Sequence, residues 1–174
     1  NTLVIKQHWE KMINTKIPTF LSWKSRFFIP LWKRNKFSFF LNDNNSDFKK
    51  DISNSVGVAG TVTYTALQFA HYLEANPVII VGVDHNFAYE GKPNEYKLRK
   101  GDDINHFDPN YFADGQYWGL PNLDLSEVGY KNAKKIFNAS NLKIYDATID
   151  GKLNIFEKIS IEEALDMVNG SINE

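Results

Sequence analysis

The sequence predicts an α/β fold of the Rossmann-like kind, in which three layers (α/β/α) surround a mostly parallel sheet. The main observation is Val78–Val83, a run of apolar residues and one glycine without polar alternation. Such a strand is typical of a parallel sheet that helices cover on both faces. A helical pattern precedes it, and another helix and strand follow it, as in α/β sheets. We therefore expect Val78–Val83 to be a central strand with both faces buried.

Size and composition limit the classes of protein that the chain can belong to. Its 174 residues fit one domain over 1–174, and 43% hydrophobic residues are enough to bury a core. A net charge of -1 predicts no overall attraction to nucleic acid or to an anionic membrane. The absence of cysteine excludes disulfides, thiolate metal ligands and a cysteine nucleophile. No apolar run is long enough for a transmembrane segment, so we expect a cytoplasmic protein.

The N-terminal third predicts one helix and two strands. Apolar residues at helical spacing indicate a helix over Thr2–Ile13 that ends before Pro18. The strands are expected over Ile17–Trp23 and Lys36–Leu41. Between them, Ser25–Asn35 mixes lysine and arginine with aromatic residues. We expect these aromatic side chains to be core or subunit contacts, although an anionic ligand is an alternative for this segment.

A helix is expected after the turn at Gly60, and its pattern predicts which face is buried. The residues expected on its apolar face are Val62, Ala66, Phe69, Ala70 and Leu73. Gln68 and His71 fall elsewhere on the helix, so we expect His71 to be exposed to solvent. We expect His8, in the first helix, to be a surface residue as well.

The C-terminal half begins with a loop over His85–Leu123 that is too long for a simple connection, which favours a functional segment. A helix over Leu125–Ala139 follows, with Asp124 or Ser126 as its N-cap. The remaining predictions are a strand at Leu142–Tyr145, an extended piece at Leu153–Phe156, and a last helix to Val168 that opens with a capping box at Ser160–Glu163.

Three polar residues directly follow the apolar strand, and this position favours a site. Ligands of open parallel sheets bind beyond the carboxyl ends of the strands, which selects Asp84, His85 and Asn86. Gly60 and Thr61 precede a helix whose N–H groups and positive dipole end can hold a phosphate or carboxylate. A glycine that only permits a tight helix start explains the same pattern, because no complete phosphate-binding motif is present.

His106 is the second histidine with catalytic potential. It lies in the long loop among carboxylates and aromatic side chains, where a general base can be tuned to neutral pH. From position alone, His85 and His106 are both candidates for catalysis. The neighbouring Asp102 and Asp103 suggest a metal site, but adjacent carboxylates are better explained as a solvated turn. We therefore predict no metal ligand.

Several segments together resemble a known group of proteins. The segments are Gly60–Leu67, Val78–Phe87, Asn105–Phe112, Ile144–Thr148 and Gly151–Leu153. In this order they resemble a bacterial family of Rossmann-like proteins that is grouped with archaeal 6-hydroxymethylpterin diphosphokinases and motility-accessory flagellin glycosyltransferases. The resemblance spans about Val56 to Leu165. It implies a Rossmann-like transferase domain.

A more distant resemblance is to the bacterial single-domain sialyltransferases. It implies that His106 is the general base that deprotonates the acceptor hydroxyl, and that Ala59, Gly60 and Thr61 hold a CMP-sugar donor. The substrate-binding residues expected on these grounds and from the strand end are Gly60, Thr61, Asp84, Asn86, Asn105 and Tyr111, with His85 as a second catalytic candidate. Two departures are that Asn86 stands where those enzymes begin a tyrosine pair, and that a Gly-Asn-Gly-like nucleotide loop is missing. We therefore expect that the full-length protein has a further N-terminal segment.

The expected function is transfer of a nucleotide-activated sugar to a cell-surface glycan or protein acceptor, without a cofactor. One alternative is pyrophosphoryl transfer from ATP to a pterin alcohol, which would require Mg²⁺ and carboxylates such as Asp84. Another is a non-catalytic fragment that keeps the fold. A homo-oligomer is compatible with all three, and nucleic acid is not an expected partner.

Overall fold

The structure is a computed structural model that describes residues 2–43, 45–87, 90–98, 100–101, 115 and 117–172. Its helices are α1 (Thr2–Met12), α2 (Val62–Tyr72), α3 (Leu123–Ala139) and α4 (Ile161–Ile172), with 3-10 helices at Trp23–Phe28 and Leu31–Lys36. Its strands are β1 (Phe20–Ser22), β2 (Ser38–Phe40), β3 (Val78–Ile80), β4 (Tyr96–Leu98), β5 (Tyr117–Gly119), β6 (Ile144–Asp146) and β7 (Glu157–Lys158). No helix among these residues is both long and apolar enough to cross a membrane.

The described strands form three small, separate sheets. The largest has the order β3-β6-β7 with parallel pairing, in the register Val78↔Ile144 and Tyr145↔Glu157. β1 and β2 are also parallel, whereas β4 and β5 are antiparallel. Helices combined with parallel strands confirm the α/β class.

The predicted position of the apolar strand is wrong in the described part of the chain. β3 is shorter than Val78–Val83 and pairs there with β6 alone, so it lies at an edge and β6 is central. Val81, beyond the strand end, is 60% exposed. An unbroken apolar run shows that a segment is hydrophobic, but it does not determine the order of strands in a sheet.

The main core lies where α2 and α3 pack on the three-stranded sheet. Its fully buried side chains are Ala59, Tyr64, Leu67, Ile80, Tyr130, Ala133, Phe137, Ile144, Leu153 and Phe156. The predicted apolar face of α2 is wrong, because Val62 and Leu73 are exposed while Tyr64, Gln68 and His71 are buried. The exposed position expected for His71 is therefore wrong too. Phe69 lies on another side of α2 and makes edge-on ring contacts with Phe20 and Phe40 of the β1-β2 sheet.

Hydrogen bonds explain why Gln68 is buried in α2. Its Oε1 accepts from the backbone N–H of Gly57 at 2.8 Å and of Lys49 at 3.1 Å, and its Nε2 donates to the Gly57 carbonyl at 3.0 Å. A buried amide with partners on both sides avoids the cost of an unsatisfied polar group. Gln68 thus holds the segment before α2 in place.

Side-chain caps set the starts of α3 and α4. The N-cap of α3 is Asn122, whose Oδ1 accepts from Leu125 N at 3.0 Å, so neither Asp124 nor Ser126 has the predicted role. The capping box of α4 is confirmed: Glu163 N donates to Ser160 Oγ at 3.0 Å, and Ser160 N donates to Glu163 Oε2 at 2.7 Å.

A second hydrophobic cluster joins α1 to the first 3-10 helix and to the strands around it. Its buried residues are Ile5, Leu21, Ile29 and Phe37. Phe27 and Trp32 in the same region are exposed, so the expectation of core contacts is wrong for these two aromatic side chains. Their expected role as subunit contacts stays a prediction.

Candidate functional site

The N-terminal ends of α2 and α3 meet at Gly60. A Cβ atom placed on Gly60 would lie 3.2 Å from the Asn122 carbonyl oxygen and 3.2 Å from Ser126 Oγ. Asn122 is the N-cap of α3, and Thr61 is the N-cap of α2, where its side chain accepts from Thr63 N. Each helix start carries N–H groups without partners inside the helix and half a positive charge from the dipole. The residue before the N-cap of α2 therefore lies against the first turn of α3.

Glycine is required at two positions for this arrangement. Gly60 has φ +68°, a left-handed conformation that side chains with a Cβ rarely adopt. Gly129 lets α3 approach the segment before α2, since a Cβ there would lie 2.4 Å from Ala59 Cβ. The site geometry thus depends on close contact between α3 and the residues that lead into α2.

His85 reaches the same end of α3 from the sheet. Its Nε2 lies 3.3 Å from Glu127 Oε1, and its ring packs edge-on against Tyr130 at 6.3 Å between centroids. The side chain of His85 is only 9% exposed. Lys131 binds the other oxygen of Glu127 at 3.2 Å, and Lys131 together with His85 lowers the pKa of this carboxyl. The carboxylate can therefore orient the imidazole, which leaves Nδ1 of the ring for proton transfer.

The loops after β3 and β6 are tied together next to His85. Val83 N donates to Thr148 Oγ1 at 3.1 Å, and Lys152 N donates to the Asp84 carbonyl at 2.8 Å. These bonds fix the backbone on both sides of Asp84. The carboxyl ends of the two parallel strands therefore form one edge beside the start of α3.

An ion pair between a buried carboxylate and a partly exposed lysine stabilises this edge. Asp146, the last residue of β6, is fully buried; its Oδ2 accepts from Lys158 Nζ at 2.7 Å and its Oδ1 from Thr148 N at 2.9 Å. Both carboxylate oxygens thus have partners, as a buried charge requires. We assign Asp146 a structural role, because it holds Thr148 where the Thr148 hydroxyl oxygen accepts from Val83 N.

The structure brings together part of the predicted site. Gly60 lies against the first turn of α3, Thr61 follows it as the N-cap of α2, and His85 lies against the second turn of α3. Asp84 and Asn86 flank His85 and are exposed. Asn105, His106 and Tyr111 lie outside the described residues, as do Asp102 and Asp103. The predicted proximity of His106 to Asp84 therefore stays a prediction.

Sequence reasoning missed the contribution of α3. Asn122, Ser126 and Glu127 line this end of the site, but the sequence predicted only a loop at Asn122 and a candidate N-cap at Ser126, and it gave Glu127 no role. The available signal was the predicted helix α3. Because helices that follow strands can begin at the same edge of a sheet, the start of α3 could be expected beside the start of α2. Nothing in the sequence indicated that Glu127 pairs with His85, which lies 42 positions away.

Over the ranges that the structure describes, no group of three or more histidine, aspartate or glutamate side chains has the geometry to hold a metal ion. The comparisons with known proteins find no matching family model, no matching curated protein and no matching solved structure.

Proposed function

We propose that the chain is a transferase that moves a sugar from a nucleotide-activated donor, with a CMP-sugar as the favoured class, to a glycan or protein acceptor. In this proposal the α/β elements belong to a Rossmann-like three-layer domain, and the donor lies at the carboxyl edge of β3 and β6. The observation that carries the proposal is the meeting of the two helix N-termini at Gly60.

The electrostatics of this end of the domain support a phosphate ligand. N–H groups at a helix start point toward the ligand, and the dipole of each helix favours negative charge there. Two such ends side by side favour the phosphate of a nucleotide more strongly than one. Val62, which follows the half-buried Thr61, is 75% exposed, and this exposure gives the ligand access from solvent.

The chemistry requires a base near the acceptor. A hydroxyl attacks the anomeric carbon of the donor sugar while the bond to the nucleotide phosphate breaks and the proton passes to a side chain. We assign this base to His106, on the resemblance to sialyltransferases. His85, held by Glu127 after the end of β3, is the second candidate.

Calorimetric titration with CMP, ATP and GTP, each with and without Mg²⁺, tests the proposal. We expect CMP to bind without Mg²⁺. Binding of ATP that requires Mg²⁺ would instead favour pyrophosphoryl transfer, and binding of none of the nucleotides would favour a fragment without a donor site.

A charge variant tests whether the helix ends form the site. Val62→Asp adds a carboxylate at the first position of α2, where it stabilises the helix but repels a phosphate. We expect CMP binding to weaken by roughly two- to fivefold, the effect of about 0.3–1 kcal/mol, without a loss of thermal stability. Ile161→Asp adds the same charge at the first position of α4 and is the matched control.

A further inference from the structure

The two 3-10 helices form a surface that combines exposed apolar side chains with cations. We call it the aromatic-basic surface, and its members are Trp23, Lys24, Arg26, Phe27, Leu31, Trp32, Lys33 and Lys36. Trp32 is 77% exposed, Leu31 is 71% exposed and Phe27 is 68% exposed. Large apolar side chains that cluster at this exposure commonly mark an interaction site.

Buried side chains and hydrogen bonds hold the segment that carries this surface to the rest of the protein. Ser25 and Ile29 are almost fully buried, and Ile29 packs in the cluster of Ile5, Leu21 and Phe37. Arg34 Nε donates to the Ile29 carbonyl at 3.0 Å, and Lys33 N donates to the Pro30 carbonyl at 2.9 Å. These contacts hold the backbone in a defined conformation, and this conformation places the apolar side chains in solvent.

Arg26 links the cationic and aromatic character of the surface. Its guanidinium carbon lies 3.8 Å from the centroid of the Trp23 ring and 4.2 Å from that of Phe27, and its Nη1 donates to the Trp23 carbonyl. A guanidinium stacked on aromatic rings stays charged and available to anions. The positive charge thus lies directly among the apolar side chains.

The net charge of the whole chain conceals a strong local excess of positive charge. From Lys11 to Asn42 the sequence contains seven lysine and arginine residues and no aspartate or glutamate. Because the chain as a whole has a net charge of -1, the remaining residues are net acidic. This segment can therefore attract a polyanion although the chain as a whole cannot.

We propose that the aromatic-basic surface docks on an anionic phospholipid bilayer. Phe27, Leu31 and Trp32 enter the headgroup region, while Lys24, Lys33 and Lys36 face the lipid phosphates. Tryptophan with flanking lysine and arginine is the composition of segments that lie in the membrane interface. This binding is independent of the donor site proposed above.

Charge and apolar content favour a bilayer over other partners. A two-fold contact with a second copy would place the cations of one surface against those of the other, which is unfavourable. Single-stranded nucleic acid is held by stacking on aromatic rings, and Leu31 and the exposed Ile17 cannot stack. A bilayer uses the aliphatic and the aromatic side chains alike.

Co-sedimentation with vesicles tests the proposal. We expect the protein to sediment with vesicles of phosphatidylcholine that contain phosphatidylglycerol, and much less with phosphatidylcholine alone. Added salt should weaken the binding, since the lysines act through screened charges. The folded state of each variant is checked by circular dichroism.

Two variants separate the apolar from the electrostatic contribution. Leu31→Ser/Trp32→Ser should weaken binding to the anionic vesicles by about tenfold, and Lys24→Glu/Lys33→Glu/Lys36→Glu by about a hundredfold. Leu73→Ser/Ile149→Ser removes two equally exposed apolar side chains elsewhere, and Lys100→Glu/Lys135→Glu/Lys152→Glu reverses three exposed charges elsewhere. Both controls should bind as the parent protein does.

Three results would overturn the proposal. The first is no sedimentation with anionic vesicles, and the second is equal binding by the surface variants and their controls. The third is a dimer in light scattering that Leu31→Ser/Trp32→Ser dissociates while vesicle binding is unchanged, which would make the surface a contact between copies.

Discussion

His85 Nε2 lies 3.3 Å from Glu127 Oε1, and this pair connects the segment after β3 to the second turn of α3. It brings a histidine from the sheet edge to the end of the helix that also contacts Gly60. The edge of the sheet and the helix starts therefore form one candidate site, and its parts can be tested separately.

The Glu127 pair should stabilise the protein only while the carboxyl is ionised. Contacts with Lys131 and His85 lower the pKa of Glu127 from its ordinary 4.5. Because the folded pKa is lowered, the stabilisation is present above pH 4.5 and is lost as the pH falls through the folded value. We expect Glu127→Gln to lower the melting temperature at pH 7, and we expect its difference from the parent protein to shrink as the pH falls below 4.5. Glu162→Gln, in the first turn of α4, is the control for the interaction of a carboxylate with a helix dipole. A difference in melting temperature between Glu127→Gln and the parent protein that does not change with pH would contradict the assignment.

His71 should make the fold sensitive to mild acid. Burial, and then Lys50, lower the pKa of His71 against the opposing effect of Glu74. Its Nε2 lies 3.0 Å from Ser140 Oγ, while its buried Nδ1 has no partner within the described ranges. With a lowered folded pKa, stability is full above pH 6.5 and falls as the pH drops below that value.

Urea unfolding between pH 7.5 and 5.5 measures this dependence. We expect a slope of up to about 1.4 kcal/mol per pH unit for one proton, which His71→Gln removes. His8→Gln, in α1, should keep the slope. A parent protein whose free energy of unfolding does not change over this range would contradict the neutral, buried state of His71.

The buried amide of Gln68 should be essential for stability. Gln68→Leu leaves the N–H and the carbonyl of Gly57 buried without their partner, and we expect the free energy of unfolding to fall by about 1–3 kcal/mol. Gln7→Leu, at an exposed position of α1, is the matched control. Equal stability of the two variants in urea would show that water replaces the amide.

The sequence predicted the positions of the helices and strands better than it predicted which residues they contact. Helical spacing located α1 to α4, and the capping box at Ser160–Glu163 was found because it is a local pattern. The buried face of α2 was missed because Gln68 and His71 are polar, and their partners at Gly57 and Ser140 lie far away in the sequence. The edge position of β3 and the pairing of His85 with Glu127 also depend on distant segments, which hydrophobic periodicity does not report.

The proposed roles of the two histidines differ, and transfer kinetics can separate them. Under the proposal His106→Ala should lower kcat by about 10²–10⁴-fold with donor binding nearly intact, because the ring acts on the acceptor. His85→Ala should lower it less. Equal losses would mean that both histidines act together, and full activity of His106→Ala would end its assignment as the base.

The central claim is that a nucleotide phosphate binds where α2 and α3 begin, and the most direct measurement is a titration of the ¹⁵N-labelled protein with CMP followed by amide chemical shifts. We expect the largest shifts for the amides of Gly60–Tyr64 and Leu123–Ser126, a roughly two- to fivefold higher CMP concentration at the midpoint in Val62→Asp, and no comparable shifts with cytidine, which lacks the phosphate. If saturating CMP leaves these amides unchanged or moves only amides elsewhere in the chain, the claim is wrong.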